Sequence, residues 1–454
     1  MKSSLASLHS TNKSSERVAF KTAVLKGQAP DGGLYFFDEF PLIDLEELSH
    51  FKEQSLNEIA FSILVKYITH ISERALKKII NQALNFQVPI EEIDKNRYLC
   101  YLDKGPTASF KDVGVRFLAR LLQHYCNLDN NEIIILVATS GDTGSAVANA
   151  FFGLQRIRVV ILYPKNEVSD FQRKQMTTLG NNISAIGIRG KFDECQKLVK
   201  LAFLDDDLCK LNLTSANSIN IGRLLPQATY YFYCYANCVE KLDEKVIFSV
   251  PSGNFGNLIG GLIAKKMNLP VKIFIAAVNE NDVFPRFMQT GQYDKIDPSK
   301  NCLSNAMNVG NPSNMARLFE LYNGQLNEQG VMVKTPDINR MRHEIASYSI
   351  SDSLTEKTIQ DYYQRYNKLI EPHGAVGWAA SSCLLKDQPQ FFNHKIIHFE
   401  TASPAKFKEE LKRIIHVEPL IPKKFKKIDQ SKEFQNCNII SNYYEFKLFL
   451  QKNF

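Results

Sequence analysis

Apolar residues recur at three-to-four spacing over Leu45 to Phe51, Leu56 to Tyr67 and Ala75 to Phe86, which predicts amphipathic helices and a mainly helical first hundred residues. Ahead of them, Ala29-Pro30-Asp31-Gly32-Gly33-Leu34-Tyr35 reads as a turn feeding a short strand, because Pro and Gly punctuate it. From Glu132 the pattern changes. Ile133 to Val137 is an unbroken apolar run, as in a strand buried on both faces. A Gly-rich loop follows, then an amphipathic stretch carrying Ala146, Val147, Ala150, Phe151 and Leu154. Next come a strand at Val159 to Tyr163 stopped by Pro164, a helix to Leu179 ended by Gly180, and a strand at Ile183 to Ile188. This β-α-β-α-β alternation implies an α/β fold, a parallel sheet with helices on both faces.

A second such region opens with the strand Val246 to Val250. It passes through Pro251-Ser252-Gly253-Asn254-Phe255-Gly256-Asn257 into a helix ending near Met267, then into a strand at Val271 to Val278. Near the end, the strand Ile396 to Glu400 leads into Thr401-Ala402-Ser403-Pro404, where Pro404 suits the first helical position after a Ser403 cap. Three strand–loop–helix junctions thus lie at the carboxyl ends of parallel strands, where open α/β sheets bind ligands.

Length and composition narrow the class of molecule. At about 150 residues per domain, 454 residues make roughly three domains or subdomains. The chain is 44% apolar and 23% charged, which excludes a disordered, collagen-like or coiled-coil chain. Its 55 basic and 48 acidic residues give a net charge of +7, spread thinly, and the one dense run, Lys423-Lys424-Phe425-Lys426-Lys427, reads as a solvated tail. A nucleic-acid partner is not expected, since that needs a basic stripe with interleaved aromatics. No apolar run is long enough for a membrane span, and Met1-Lys2-Ser3-Ser4-Leu5 lacks a secretory core. Nine cysteines without paired spacing favour a reducing compartment, so the cytoplasm is expected. Cys234 and Cys238 share a helix face but have no His or second Cys pair, and His343-Glu344 lacks a second His, so no metal is expected. Trp378 reads as core packing, and Glu371-Pro372-His373-Gly374 offers either an imidazole for the cleft or a turn histidine, so His373 receives no role.

The junctions carry the chemistry. A Gly-rich helix entry presents unpaired N–H groups to an anion, and there are two: Ser140-Gly141-Asp142-Thr143-Gly144-Ser145 and Ser252 to Asn257. Neither ends in Gly-Lys-Ser/Thr or has Gly-x-Gly-x-x-Gly spacing, so a nucleotide is disfavoured. Two such cradles suggest a small phosphorylated cofactor and a separate anionic substrate. In Pro106-Thr107-Ala108-Ser109-Phe110-Lys111-Asp112, Ser109 and Asp112 are spaced as a capping box for a helix to His124. Lys111 would then sit at the positive end of that helix, where a cation is disfavoured. Desolvation there would lower its pKa and free the amine that a Schiff base with an aldehyde cofactor requires.

Together these segments resemble the threonine synthase family, pyridoxal-phosphate (PLP) enzymes with the tryptophan-synthase-β-like fold. Gly105-Pro106-Thr107 with Ser109-Phe110-Lys111-Asp112 is similar to the family's cofactor-lysine segment, Ala138 to Ala146 to its small-domain loop, and Pro251 to Asn257 to its cofactor-phosphate loop. Ala29 to Tyr35, Asn217-Ser218-Ile219-Asn220, Val309-Gly310-Asn311-Pro312-Ser313-Asn314 and Thr401 to Phe407 extend the likeness from about residue 20 to 410. The resemblance implies PLP fold type II, with parallel twisted sheets and flanking helices. It implies a mainly helical N-terminal region (1–98), a discontinuous large PLP-binding domain (99–130 and 216–425), a small mobile α/β domain (131–215) and a C-terminal tail (426–454). It implies Lys111 as the Schiff-base lysine and proton carrier, Gly253, Asn254, Phe255, Gly256 and Asn257 around the cofactor phosphate, and Thr401 on the pyridine nitrogen. A neutral hydroxyl there would not stabilise a fully protonated ring.

Ser140, Gly141, Asp142 and Thr143 are implied for the substrate carboxylate, and Ser218, Asn220 and Arg223 for its phosphate, helped by Lys104. Three positions depart from the family pattern: Lys104 stands where His is usual, Asn308 where Asp is frequent, and Ser403 where His is frequent. The implied reaction converts O-phospho-L-homoserine and water to L-threonine and phosphate, in a monomer or homodimer. Its rivals are a phospholyase or β-replacement enzyme on the same fold, and a degenerate, non-catalytic binding module.

Overall fold

The computed structural model describes residues 7–422, 425, 431–434, 440 and 442–454. The first residues of the chain and, Phe425 apart, the Lys423 to Lys427 run lie outside them.

Two parallel sheets organise the chain. The smaller has four strands in the order Ile183–Ile188, Ile157–Pro164, Ile133–Ala138, Leu213–Ser215. All its pairings are parallel. Ile133–Ala138 is buried at every position, as its unbroken apolar run predicts. The larger sheet runs Ile345–Ser349, Val271–Val278, Val246–Pro251, Ile396–Glu400, Arg97–Tyr101, Ile90–Asp94. It is parallel except for Ile90–Asp94, an antiparallel edge strand.

That hairpin corrects the reading of the first hundred residues. Ile90-Glu91-Glu92-Ile93-Asp94 is a charged edge strand with no position fully buried, so it lacks the apolar run of a central strand. Its partner, Arg97–Tyr101, straddles the boundary drawn at residue 98. The helices Leu45–His50, Leu56–Leu64 and Glu73–Ala83 form as predicted, the second with a Ser55/Glu58 capping box. An antiparallel sheet of Ser7–Ser10, Val18–Ala19 and Tyr35–Phe37 precedes them.

The end of the chain is not wholly a solvated tail. The helix Tyr443–Asn453 buries Phe446 and Leu450 against Phe192, Leu198 and Val199 on the outer face of the smaller sheet. Lys447 pairs there with Asp205 at 2.8 Å, and Ile440 bridges to Ile188. No helix of the described residues is long and apolar enough to cross a membrane.

Candidate active site

The helix Lys111–Asp129 starts against the end of Ile396–Glu400. The amide of Phe110 donates to the Thr401 carbonyl at 2.9 Å, and Ser403 N–H donates to the Ala108 carbonyl at 3.0 Å. These two bonds tie the Lys111 turn to the Thr401 turn. The predicted capping box is not formed. Asp112 instead turns back and accepts from the amide and hydroxyl of Thr107, both at 2.8 Å, and no side chain caps Phe110. The helix also runs to Asp129, past His124.

Lys111 projects into a pocket that the three junctions share. Ser140, Asp142, Thr143, Ser218, Arg223, Gly253 to Asn257 and Thr401 line it with Lys111. Burial pushes the Lys111 amine below the usual lysine range, although Asp142 at 3.4 Å pulls the other way. Asp142 is buried and held by Lys406 at 2.8 Å and by the Gln172 amide at 3.1 Å. Burial alone would raise its carboxyl, but Lys406 and then Lys111 hold it well below the carboxylate range. A carboxylate so placed repels a second one, so the Asp142 side chain is no receptor for a substrate carboxylate.

Neighbouring Gly141 has φ +135°, and a Cβ there would lie 2.6 Å from the Gln172 amide. Its N–H donates to Thr139 Oγ1 at 3.0 Å, so Gly141 shapes the loop and does not line the pocket.

The loop before the helix Gly256–Lys266 is of another kind. Phe255 turns through φ 61°, and a Cβ on Gly253 would stand 2.8 Å from the Ala306 carbonyl. Among the described residues no acceptor meets the backbone N–H groups of Gly253, Asn254, Phe255, Gly256 or Asn257. Tyr230 and Tyr231 donate to Asn257 Oδ1 at 2.6 and 2.7 Å, leaving its buried Nδ2 without a partner.

Arg223 enters from the helix Ile221–Leu224, its pKa lowered to about 10 by burial. Its Nη1 donates to the Ala216 carbonyl at 2.8 Å, while Nε is buried and unpaired. Ser218 accepts from Asn314 at 3.0 Å, and buried Arg317 holds the Ser218 carbonyl at 3.1 Å.

Besides Gly141, two predicted residues are not brought here. Lys104 pairs with Asp103 at 2.9 Å and does not line the pocket. Asn220 is a cap: its Oδ1 accepts from Gly222 N–H, and its Nδ2 serves the Val24 and Ser215 carbonyls, all at 2.9 Å. Of the other departures, Asn308 accepts from Asn279 at 2.9 Å, and Ser403 caps the short 3₁₀ turn Pro404–Phe407 as predicted. Lys406 and Glu371 are residues the sequence reading passed over, and His373, left between a cleft and a turn, was given no role. His373 sits in the first turn of the helix Pro372–Asp387, is buried and lines the pocket. Lys406 lay inside a segment quoted for the resemblance, but its partner Asp142 is 264 residues away.

Comparison with known proteins defines the class first. Residues 89–397 match the family model described as pyridoxal-phosphate dependent enzyme, and residues 7–84 match that of the threonine synthase N terminus. The threonine synthase of Buchnera aphidicola subsp. Acyrthosiphon pisum is 40% identical over 413 residues, 90% of this chain and 91% of that one. That of Escherichia coli is 38% identical over 410 residues, 90% and 91% of the two chains. The crystal structure of the Escherichia coli enzyme superposes with a TM-score of 0.88 at 35% identity, covering 99% of this chain and 100% of that one. The PLP-bound threonine synthase of Brucella melitensis gives 0.89 at 29% identity, covering 98% and 99%. The chain belongs to the threonine synthase family of PLP-dependent enzymes. Its own residues fit that cofactor: a buried amine in the pocket, a run of unpaired N–H groups with Asn257 Nδ2 for a phosphate, and a hydroxyl at Thr401.

Proposed function

We propose that this chain converts O-phospho-L-homoserine and water to L-threonine and inorganic phosphate, with PLP held in the pocket around Lys111. The observation that carries this reading is the buried Lys111 amine sharing one pocket with the N–H-rich loop Gly253 to Asn257 and with Arg223. When bound, the cofactor supplies an electron sink for the pair left as a proton leaves the carbon beside the substrate amine.

Lys111 would hold the cofactor aldehyde through its amine, and that amine, when free, moves protons at the substrate's α and β carbons. Gly253 to Asn257 would hold the cofactor phosphate at the helix start, and the Thr401 hydroxyl would serve its ring nitrogen. Ser140, Thr143 and the backbone N–H groups at the start of the helix Asp142–Phe151 take the substrate carboxylate. Arg223 and Ser218 take the substrate phosphate, Arg223 with its unpaired Nε.

The γ carbon–oxygen bond breaks with its electron pair on phosphate, and water adds its oxygen at the β carbon. Protons removed at the α and β carbons are matched by protons returned at the α and γ carbons, and the remaining water proton goes to phosphate. The small unit of residues 131–215 closes on substrate and keeps water out until phosphate has left.

The test is the organic product formed from O-phospho-L-homoserine by purified protein with PLP. L-Threonine is expected. A 2-oxo acid in its place overturns the reading in favour of a phospholyase, and unchanged substrate in favour of a binding module.

A further inference from the structure

We infer that Asn314, held by Arg317, is a positioning residue that turns the Ser218 hydroxyl proton toward the phosphate of the substrate. The inference rests on the reading above, in which Ser218 and Arg223 take that phosphate.

Asn314 closes the segment Val309 to Asn314 and stands just before the helix Met315–Leu321, with Arg317 in the first turn. Both residues are fully buried. Asparagine at the start of a helix ordinarily accepts from the first N–H groups, but this side chain makes no such bond. Capping therefore does not account for it, and its amide is committed elsewhere.

The direction of each bond follows from Arg317, which carries donors and no acceptor. Burial lowers its pKa to about 9, so it is protonated at neutral pH. Its N–H groups all end on neutral oxygens. Nε and Nη2 hold the Tyr35 carbonyl at 3.1 and 2.8 Å, and Nη2 also serves the Ile219 carbonyl. Nη1 holds the Ser218 carbonyl at 3.1 Å and Asn314 at 2.8 Å.

The Asn314 atom that meets Arg317 must accept, so it is Oδ1, and the other amide atom is Nδ2. That nitrogen donates to the Asn254 carbonyl and to Ser218 Oγ, each at 3.0 Å. The carbonyl can only accept, so it fixes the amide the same way from the far end. Ser218 Oγ thus receives a hydrogen bond from behind. Among the described residues no acceptor takes its own proton, and Ser218 lines the pocket beside Arg223. An anion there meets a hydroxyl that donates.

Asn254 repeats the pattern. Ser313 N–H donates to its Oδ1 at 3.2 Å, which leaves Nδ2 as the donor on the pocket wall. Ser313 and Asn314 therefore occupy the accepting sides of two neighbouring side chains and leave their protons for an anion.

The test compares Asn314→Asp, Asn314→Ala, Ser218→Ala and the double variant Asn314→Asp/Ser218→Ala with wild type. The readouts are KM for O-phospho-L-homoserine, the dissociation constant of inorganic phosphate from the PLP-loaded enzyme, and PLP affinity. Asp keeps the shape and the bond to Arg317 but puts an acceptor where Nδ2 stood, drawing the Ser218 proton out of the pocket. KM and the phosphate dissociation constant should rise about tenfold to a hundredfold, the loss of a hydrogen bond to a charged group, with kcat and PLP affinity little changed. Asn314→Ala removes more packing but supplies no acceptor, so it should raise KM less than Asn314→Asp or Ser218→Ala does. With Ser218 already Ala, Asn314→Asp should add no more than about twofold. Asn314→Asp behaving as wild type, with Ser218→Ala weakened, overturns the role of Asn314 and leaves the phosphate reading intact. An Asn314→Ala effect as large as that of Ser218→Ala overturns it in favour of packing, and this comparison does not need Asn314→Asp to fold. Ser218→Ala with KM and phosphate binding unchanged overturns the placement of the phosphate itself, and a fall in PLP affinity alone would move the hydroxyl to the cofactor phosphate.

Discussion

Two Gly-rich loops join a buried parallel strand to a helix in this chain, and as sequences they look like versions of one device. In Thr139 to Thr143 the anion is built in. Asp142 lies between Lys406 and Lys111, and the Thr139 hydroxyl takes the N–H groups of Gly141 and Gly144 at 3.0 and 2.7 Å. In Gly253 to Asn257 no carboxylate is present, and the helix-start donors are unspent. Glycine spacing alone does not identify an anion receptor. What separates the two is how many donors the chain satisfies itself: the first loop spends the N–H groups of Gly141 and Gly144 and keeps those of Asp142 and Thr143, and the second keeps all of its own.

Breaking the filled loop should have the largest effect. Lys406→Met leaves Asp142 buried without its nearest cation, and losing one partner of a buried pair costs about 3–5 kcal/mol. Urea unfolding of the apoprotein reads this directly, and a loss below about 1 kcal/mol would mean that the Asp142 site is solvated. Breaking the open loop should spare stability more and cofactor binding less. Asn257→Ala removes the unpaired Nδ2, and a hydrogen bond to a charged group contributes about 1.5–3 kcal/mol, so PLP affinity should fall roughly tenfold to a hundredfold in fluorescence titration.

The smallest effect sharpens the comparison through pH. Burial places the folded Lys111 pKa below its unfolded value, so between the two the unfolded chain holds a proton that the folded chain has shed. Apoprotein stability should then rise with pH across that window, by at most about 1.4 kcal/mol per pH unit, and Lys111→Met should remove this slope. An identical slope in the variant would place the ammonium in solvent.

What could be read from the sequence follows from burial. Ile133 to Val137, Val246 to Val250 and Ile396 to Glu400 announced themselves because strands covered on both faces are mainly apolar, with Ser249, His398 and Glu400 the polar exceptions. Ile90–Asp94 did not, since an edge strand tolerates Glu91, Glu92 and Asp94. The site was legible where a residue's neighbours in sequence are its neighbours in space, as around Lys111 and Gly253 to Asn257. It was opaque where hydrogen bonds join distant segments. Asp112 was open to a local cap but turned to Thr107, Asn220 was committed to backbone, and Lys406 found Asp142 across the pocket. His373 could not be settled between a turn and the cleft, because the helix it begins carries no polar face to mark its start.

The most direct measurement is borohydride reduction of the PLP-loaded protein followed by peptide mass mapping. The account predicts a pyridoxyl group on the Lys111 side chain and on no other lysine. An adduct on Lys406 or elsewhere, or none at all, would contradict it.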